Sequence, residues 1–181
     1  MSKDAIKKTC SFDVCCECAH SCCQDARPPL TEERIRIIKD SLRNRGCLSG
    51  RLLVISVYSF PAVDSSGFCV FYDKGSKKCL IHEVKPETCR AGPITFDINR
   101  RTRKVEWFLK KNELCFFAGK LFKTPKQLDE HLKVAKEEIK RLIAELDPAA
   151  LMAILKIDEP QTFKIGEDPL PREVLEKLGV E

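Results

Sequence analysis

Apolar positions recur with different periods along this chain, and the periods divide it. Over residues 31–46, TEERIRIIKDSLRNRG, the apolar Ile35, Ile38 and Leu42 follow one another at spacings of three and four, which predicts an amphipathic helix. Pro28 and Pro29 precede it, Thr31 is placed to cap it, Glu32 and Glu33 suit its positive end, and Leu30 can staple onto Ile35. Gly46 supplies the stop. The β-branched and aromatic content of 51–60 reads as one strand, and 61–67 as a loop. Residues 68–72, FCVFY, and 79–82, CLIH, flank turn chemistry in DKGSKK and predict a hairpin with a cysteine on each arm. A second hairpin is predicted from 94–98 and back along 103–109.

After Cys115 the period lengthens. Thr124, Pro125 and Gln127 form a helix start, and Leu128, Leu132, Ala135, Ile139 and Leu142 follow at spacings of four and three, giving one long helix that ends near Asp147 and Pro148. His131 on that helix reads as solvated. Residues 149–155 form a shorter helix, the stretch around Gly166 a polar connection, and 171–178 a last helix stopped by Gly179. The resulting expectation is an α+β fold: a small cysteine-rich metal-binding domain over 1–122, with short β-hairpins and a helix, followed by a C-terminal helical extension over 123–181 packed on it.

Composition narrows the classes. A chain of 181 residues with 43% hydrophobic content can bury an ordinary core. Its net charge of +5 is spread along the sequence, too weak a bias for a dedicated nucleic-acid binder. The densest basic run, RRTRK at 100–104, reads as a solvated turn between strands. Residues 1–9 are polar and charged, and no stretch approaches the roughly 18 apolar residues of a membrane span. We therefore expect a cytoplasmic protein without membrane partners.

Eleven cysteines then change the picture. A secreted chain pairs such thiols as disulfides, whereas a cytosolic one keeps them reduced or binds them to metal. The odd count and the adjacent cysteines weigh against disulfides. Residues 15–23, CCECAHSCC, carry five of them. Sorted by spacing, Cys15-x2-Cys18-x3-Cys22-Cys23 comes first, and Cys69, Cys79, Cys89 and Cys115 follow singly; these eight are the candidate ligands. Cys10, Cys16 and Cys47 stand outside as small apolar residues. A two-residue gap lets both thiolates of a pair reach one metal from a tight turn. Neighbouring side chains diverge, so Cys22 and Cys23 serve either two sites or one polynuclear cluster. One site or two remains open on spacing alone. Four thiolates suit both zinc and iron-sulfur clusters. With one clean C-x2-C, where zinc fingers usually show two knuckles, an iron-sulfur cluster is the first choice and zinc the alternative. Lys85, Arg90 and Arg27 are placed to neutralise such a site. Arg90 has two readings, a cofactor-binding donor to a cluster sulfur and a structural salt bridge. His82 and His20 are kept out of the ligand set.

With these motifs laid out, the pattern resembles the cysteine-cluster proteins of the YkgJ type, whose domain is described as zinc- or iron-chelating and named for a CxxCxxCC signature. The likeness spans roughly residues 12–120. Phe68-Cys69-Val70-Phe71 and Cys79-Leu80-Ile81-His82 look like the family's middle cysteines, and Lys85-Pro86-Glu87-Thr88-Cys89-Arg90-Ala91-Gly92-Pro93 like its [RK]-P-x-x-C-R-x-x-P stretch. Cys115 with Gly119 is similar to the late cysteine and glycine that close the domain. The chain departs in having three residues between Cys18 and Cys22, where the signature has two, and in Lys85, where arginine is commoner. The resemblance implies a metal or iron-sulfur site, and a relative of the domain occurs in flagellin lysine methylases. The expected function is an electron-transfer or accessory module of a larger complex, with a protein partner. A structural zinc protein or an accessory to a protein methyltransferase is the alternative. For an enzyme the sequence offers no Gly-rich cofactor loop, and its cysteine gaps reverse the C-x3-C-x2-C order of radical S-adenosylmethionine enzymes.

Overall fold

The computed structural model describes residues 22–44, 52–159 and 161–180, so the expectations for Cys10, Cys15, Cys16, Cys18, His20, Gly46 and Cys47 lie outside the described residues. In chain order the elements begin with helix α1 (Glu32–Asn44) and two small hairpins, β1 (Leu53–Ile55) with β2 (Ser59–Pro61), and β3 (Tyr72–Asp73) with β4 (Lys78–Cys79). A 3-10 turn (His82–Val84) leads into the short helix α2 (Glu87–Ala91). Strands β5 (Ile94–Asn99) and β6 (Lys104–Lys110) follow, then helices α3 (Phe116–Phe122), α4 (Pro125–Glu145) and α5 (Pro148–Ile154), strand β7 (Thr162–Pro169) and helix α6 (Arg172–Lys177). The fold is α+β, with β5, β6 and β7 in one antiparallel sheet. Among the described residues no helix is long and apolar enough to cross a membrane.

The helices start where local chemistry places them. Thr31 Oγ1 accepts the Arg34 amide at 3.0 Å, which satisfies one of the unpaired donors of the first turn of α1. Ile38 and Leu42 on its inner face join Leu30, Phe71 and Ile81 in one apolar cluster, with Ile35 packed against it. Pro125 opens α4, whose Ala135, Ile139, Leu142 and Ile143 are fully buried. They meet Val105, Trp107 and Leu109, the alternate residues of β6, which are also fully buried. This second cluster runs from Ala91 to Leu178 and so draws on both sides of residue 122.

Three expectations give way. In place of the one strand expected over 51–60, the described residues form two, β1 and β2, because the chain reverses at Ser56, whose amide donates to the Tyr58 carbonyl at 3.2 Å, and pairs Val54 with Phe60. The turn leaves Ile55 and Val57 in solvent, where a single strand would have covered half its side chains. The stretch around Gly166 is a strand, β7, in register with β6 from Lys104–Pro169 to Lys110–Thr162 across a bulge at Trp107 and Phe108. Its charges read as a loop because they serve as cross-strand partners: Lys164 pairs with Glu106 at 2.9 Å and Glu167 with Lys104. His131 is buried, 6% exposed, with Nε2 3.0 Å from the carbonyls of both Ala91 and Gly92 and its ring edge-on to Phe117. It continues the stripe of Ala135 and Leu142, and its polar edge is satisfied by backbone in place of water.

Candidate metal centre

The thiols are brought together by backbone ties between segments far apart in sequence. Cys22 and Cys23 lie in a turn, and immediately after it Gln24 bridges Phe68. The Cys69 amide donates to the Cys23 carbonyl at 2.9 Å, and the Asp25 amide to the Gly67 carbonyl at 2.8 Å. Gly67 has φ +80°, a left-handed backbone conformation that calls for glycine. Cys79 ends β4 opposite Tyr72, while Cys69 precedes that ladder and bridges Val63. Beneath them Phe71 and Ile81 are buried. Cys89 sits in the middle of α2.

Cys22 is exposed, and Cys23, Cys69, Cys79 and Cys89 are half-buried. These five thiols feel one another. The hydrogen bond with Cys22 holds Cys23 far above the ordinary thiol range, and burial and the neighbouring Cys22, Cys89 and Cys79 add to it. Burial, with the nearby Cys79 adding to it and the Phe71 backbone opposing it, pushes Cys69 up to about 11. Burial also raises Cys79 and Cys89, Cys22 adds to both, and Lys85 pulls both back. Half-buried thiols that suppress one another's ionisation have their charge offset only in part by Lys85, and a soft cation supplies the rest by exchanging protons for metal. Such a sulfur donor set fits zinc and iron-sulfur clusters. Among the described residues no group of three or more His, Cys, Asp or Glu donors is arranged to hold a metal ion. Cys15 and Cys18, the ligand pair of the sequence reading, lie outside them.

Lys85 stands where the sequence placed a neutralising charge, acting on Cys79 and Cys89. Arg90 donates through Nε to Glu138 at 2.7 Å and through Nη1 to the Glu83 carbonyl at 3.0 Å, which is the geometry of its salt-bridge reading. His82 heads the 3-10 turn; burial, with Lys85 and Arg90 nearby, lowers its ring to about 4, so it is neutral at pH 7. Cys115 caps α3 and packs against the larger core, away from Phe71 and Ile81. Gly119, four residues on, is pressed against Asn112, where a Cβ would come within 2.7 Å of Asn112 Cγ.

The sequence reading missed the buried acids and base behind the centre: Arg34, Glu87 and Glu138 are 5%, 1% and 6% exposed. Spacing carried a signal, since Arg34 falls four residues before Ile38, and Glu138 lies between Ala135 and Leu142 on the apolar stripe.

The model of a family described as "CxxCxxCC: Putative zinc- or iron-chelating domain" matches residues 14–116. No curated protein and no solved structure matches the chain.

Proposed function

Because the chain belongs to the CxxCxxCC family, whose domain is described as zinc- or iron-chelating, we propose that it holds a thiolate-ligated iron-sulfur centre and serves a larger complex as an electron-transfer or accessory module. The observation that carries this reading is the gathering of Cys22, Cys23, Cys69, Cys79 and Cys89 from separate segments, tied by the Cys69 amide on the Cys23 carbonyl and close enough for their charges to act on one another. Cys15 and Cys18 join these thiols, and Cys115, packed against the larger core, is assigned to the second of the one or two sites that the spacing allows. When bound, such a cluster supplies one-electron exchange at a potential set by its surroundings. The chain's own residues prepare for it. The turn at Cys22 and Cys23 brings the two thiols within hydrogen-bonding reach of each other, where the spacing alone predicted divergence, so both can serve one centre. Lys85 offsets part of the negative charge that the thiolates bring, and Phe71 and Ile81 close the site from below. Zinc in the same thiols is the alternative, with a structural role or one as accessory to a protein methyltransferase.

Anaerobic purification with metal analysis, followed by electron paramagnetic resonance of the reduced sample, tests the reading. We expect a brown protein containing iron and acid-labile sulfide, paramagnetic after reduction. A colourless protein with zinc alone transfers the assignment to zinc, and a chain that takes up neither metal overturns it.

A further inference from the structure

Helix α2 has two sides. At about 100° per residue, Glu87, Arg90 and Ala91 fall together and Cys89 falls opposite Glu87. The first side is pinned by α1 and α4. Arg34 donates through Nε to Glu87 Oε1 at 3.0 Å and through Nη2 to Glu138 Oε2 at 2.8 Å. Glu138 Oε1 takes Arg90 Nε at 2.7 Å, and the Thr31 hydroxyl donates to Glu87 Oε1 at 3.2 Å. Two turns earlier on α4, His131 holds the Ala91 and Gly92 carbonyls at the other end of α2. Among the described residues, Glu87 Oε2 is the buried side-chain atom with no partner, so the rest of the network carries the orientation.

A five-residue helix has too few internal bonds to fix its own direction. Two carboxylates interleaved with two guanidinium groups do fix it, because charge-assisted bonds are short and directional, and breaking one leaves a buried charge unmatched. We infer that Glu138 is a positioning residue for Cys89: from α4, outside the matched residues 14–116, it sets the rotation of α2 and so turns the Cys89 sulfur toward the other thiols. Its consequence for metal uptake rests on the thiolate centre proposed above; the positioning itself does not.

Two readouts test it. In the reduced, metal-free full-length chain, iodoacetamide labelling is followed thiol by thiol by mass spectrometry. Glu138→Ala is expected to label Cys89 at least ~10-fold faster with Cys79 unchanged, Glu138→Gln to fall between, and Glu137→Gln, on the exposed side of α4, to match the native chain. In the second readout, cobalt(II) uptake weakens at least ~10-fold in Glu138→Ala, and its thiolate-to-cobalt absorption drops. An unchanged Cys89 rate in a folded Glu138→Ala chain overturns the inference, as does faster labelling of all the thiols alike, which reports unfolding. A native chain that takes up no cobalt, zinc or iron refutes the metal reading, and the labelling comparison then decides the role of Glu138.

Discussion

The two apolar cores close in different ways. Among the described residues, the larger joins eighteen buried side chains between the three-stranded sheet and α4, α5 and α6. The smaller has five, Leu30, Ile38, Leu42, Phe71 and Ile81, under hairpins whose ladders run to three pairs and two. A two-stranded hairpin is marginal in water by itself, and a small core seldom holds without a staple. Cys69 and Cys79 pack on the smaller core. One region is held by burial. The other is held by cross-links: the backbone ties at Cys23 and Asp25, the ionic network through Arg34 and, on the function proposed here, the metal.

The largest effect expected from testing this contrast is in the larger core. Trp107 is fully buried, and Trp107→Ala is expected to cost about 3–5 kcal/mol in urea unfolding followed by circular dichroism. That cost should be the same with and without a metal chelator; a chelator-dependent cost would break the contrast from one side. Ile81, 1% exposed, is the counterpart in the smaller core. Ile81→Ala is expected to cost about 2–5 kcal/mol in the metal-loaded protein, and close to nothing once chelator has loosened that region. An equal cost in both states would break the contrast from the other side.

The smallest effect belongs to His131, on α4 against the end of α2. Burial holds its ring below the ordinary 6.5, although the Ala91 and Gly92 carbonyls pull the other way. The unfolded chain therefore takes up a proton first as pH falls. His131's contribution to stability is complete above about pH 6.5 and declines below it, by up to ~1.4 kcal/mol per pH unit. His131→Gln keeps a donor without titrating, and urea titrations at successively lower pH should show a flatter slope. An unaltered slope would assign the titration to other groups.

Much of this architecture was legible in the sequence because it follows from local periodicity. The Thr31 cap, the Pro125 start, the stripe of Ala135, Ile139 and Leu142, and the hairpin of β5 and β6 all rest on residues close together in the chain. What escaped is non-local. The Lys164 and Glu167 side chains mark β7 as a strand only once Glu106 and Lys104 stand beside them. Likewise Arg34 and Glu138 are buried because each supplies the other's countercharge across 104 residues of sequence. The site divides similarly. Spacing singled out the thiols, and Cys22, Cys23, Cys69, Cys79 and Cys89 do neighbour one another, while the residues that aim Cys89 lie on a helix the cysteine pattern does not reach.

The pairing of β6 with β7 has a consequence in time. A chain is made from its N-terminus at about 5–20 residues per second, so Glu138 leaves the ribosome roughly 2–10 s after Cys89, and β7 later still. For that interval β6 has a bare edge and α2 is held by α1 alone, without the half of its clamp that α4 supplies. On the centre proposed above, metal delivered within that interval would meet a sulfur not yet turned to receive it, which places productive loading after Glu138 has emerged.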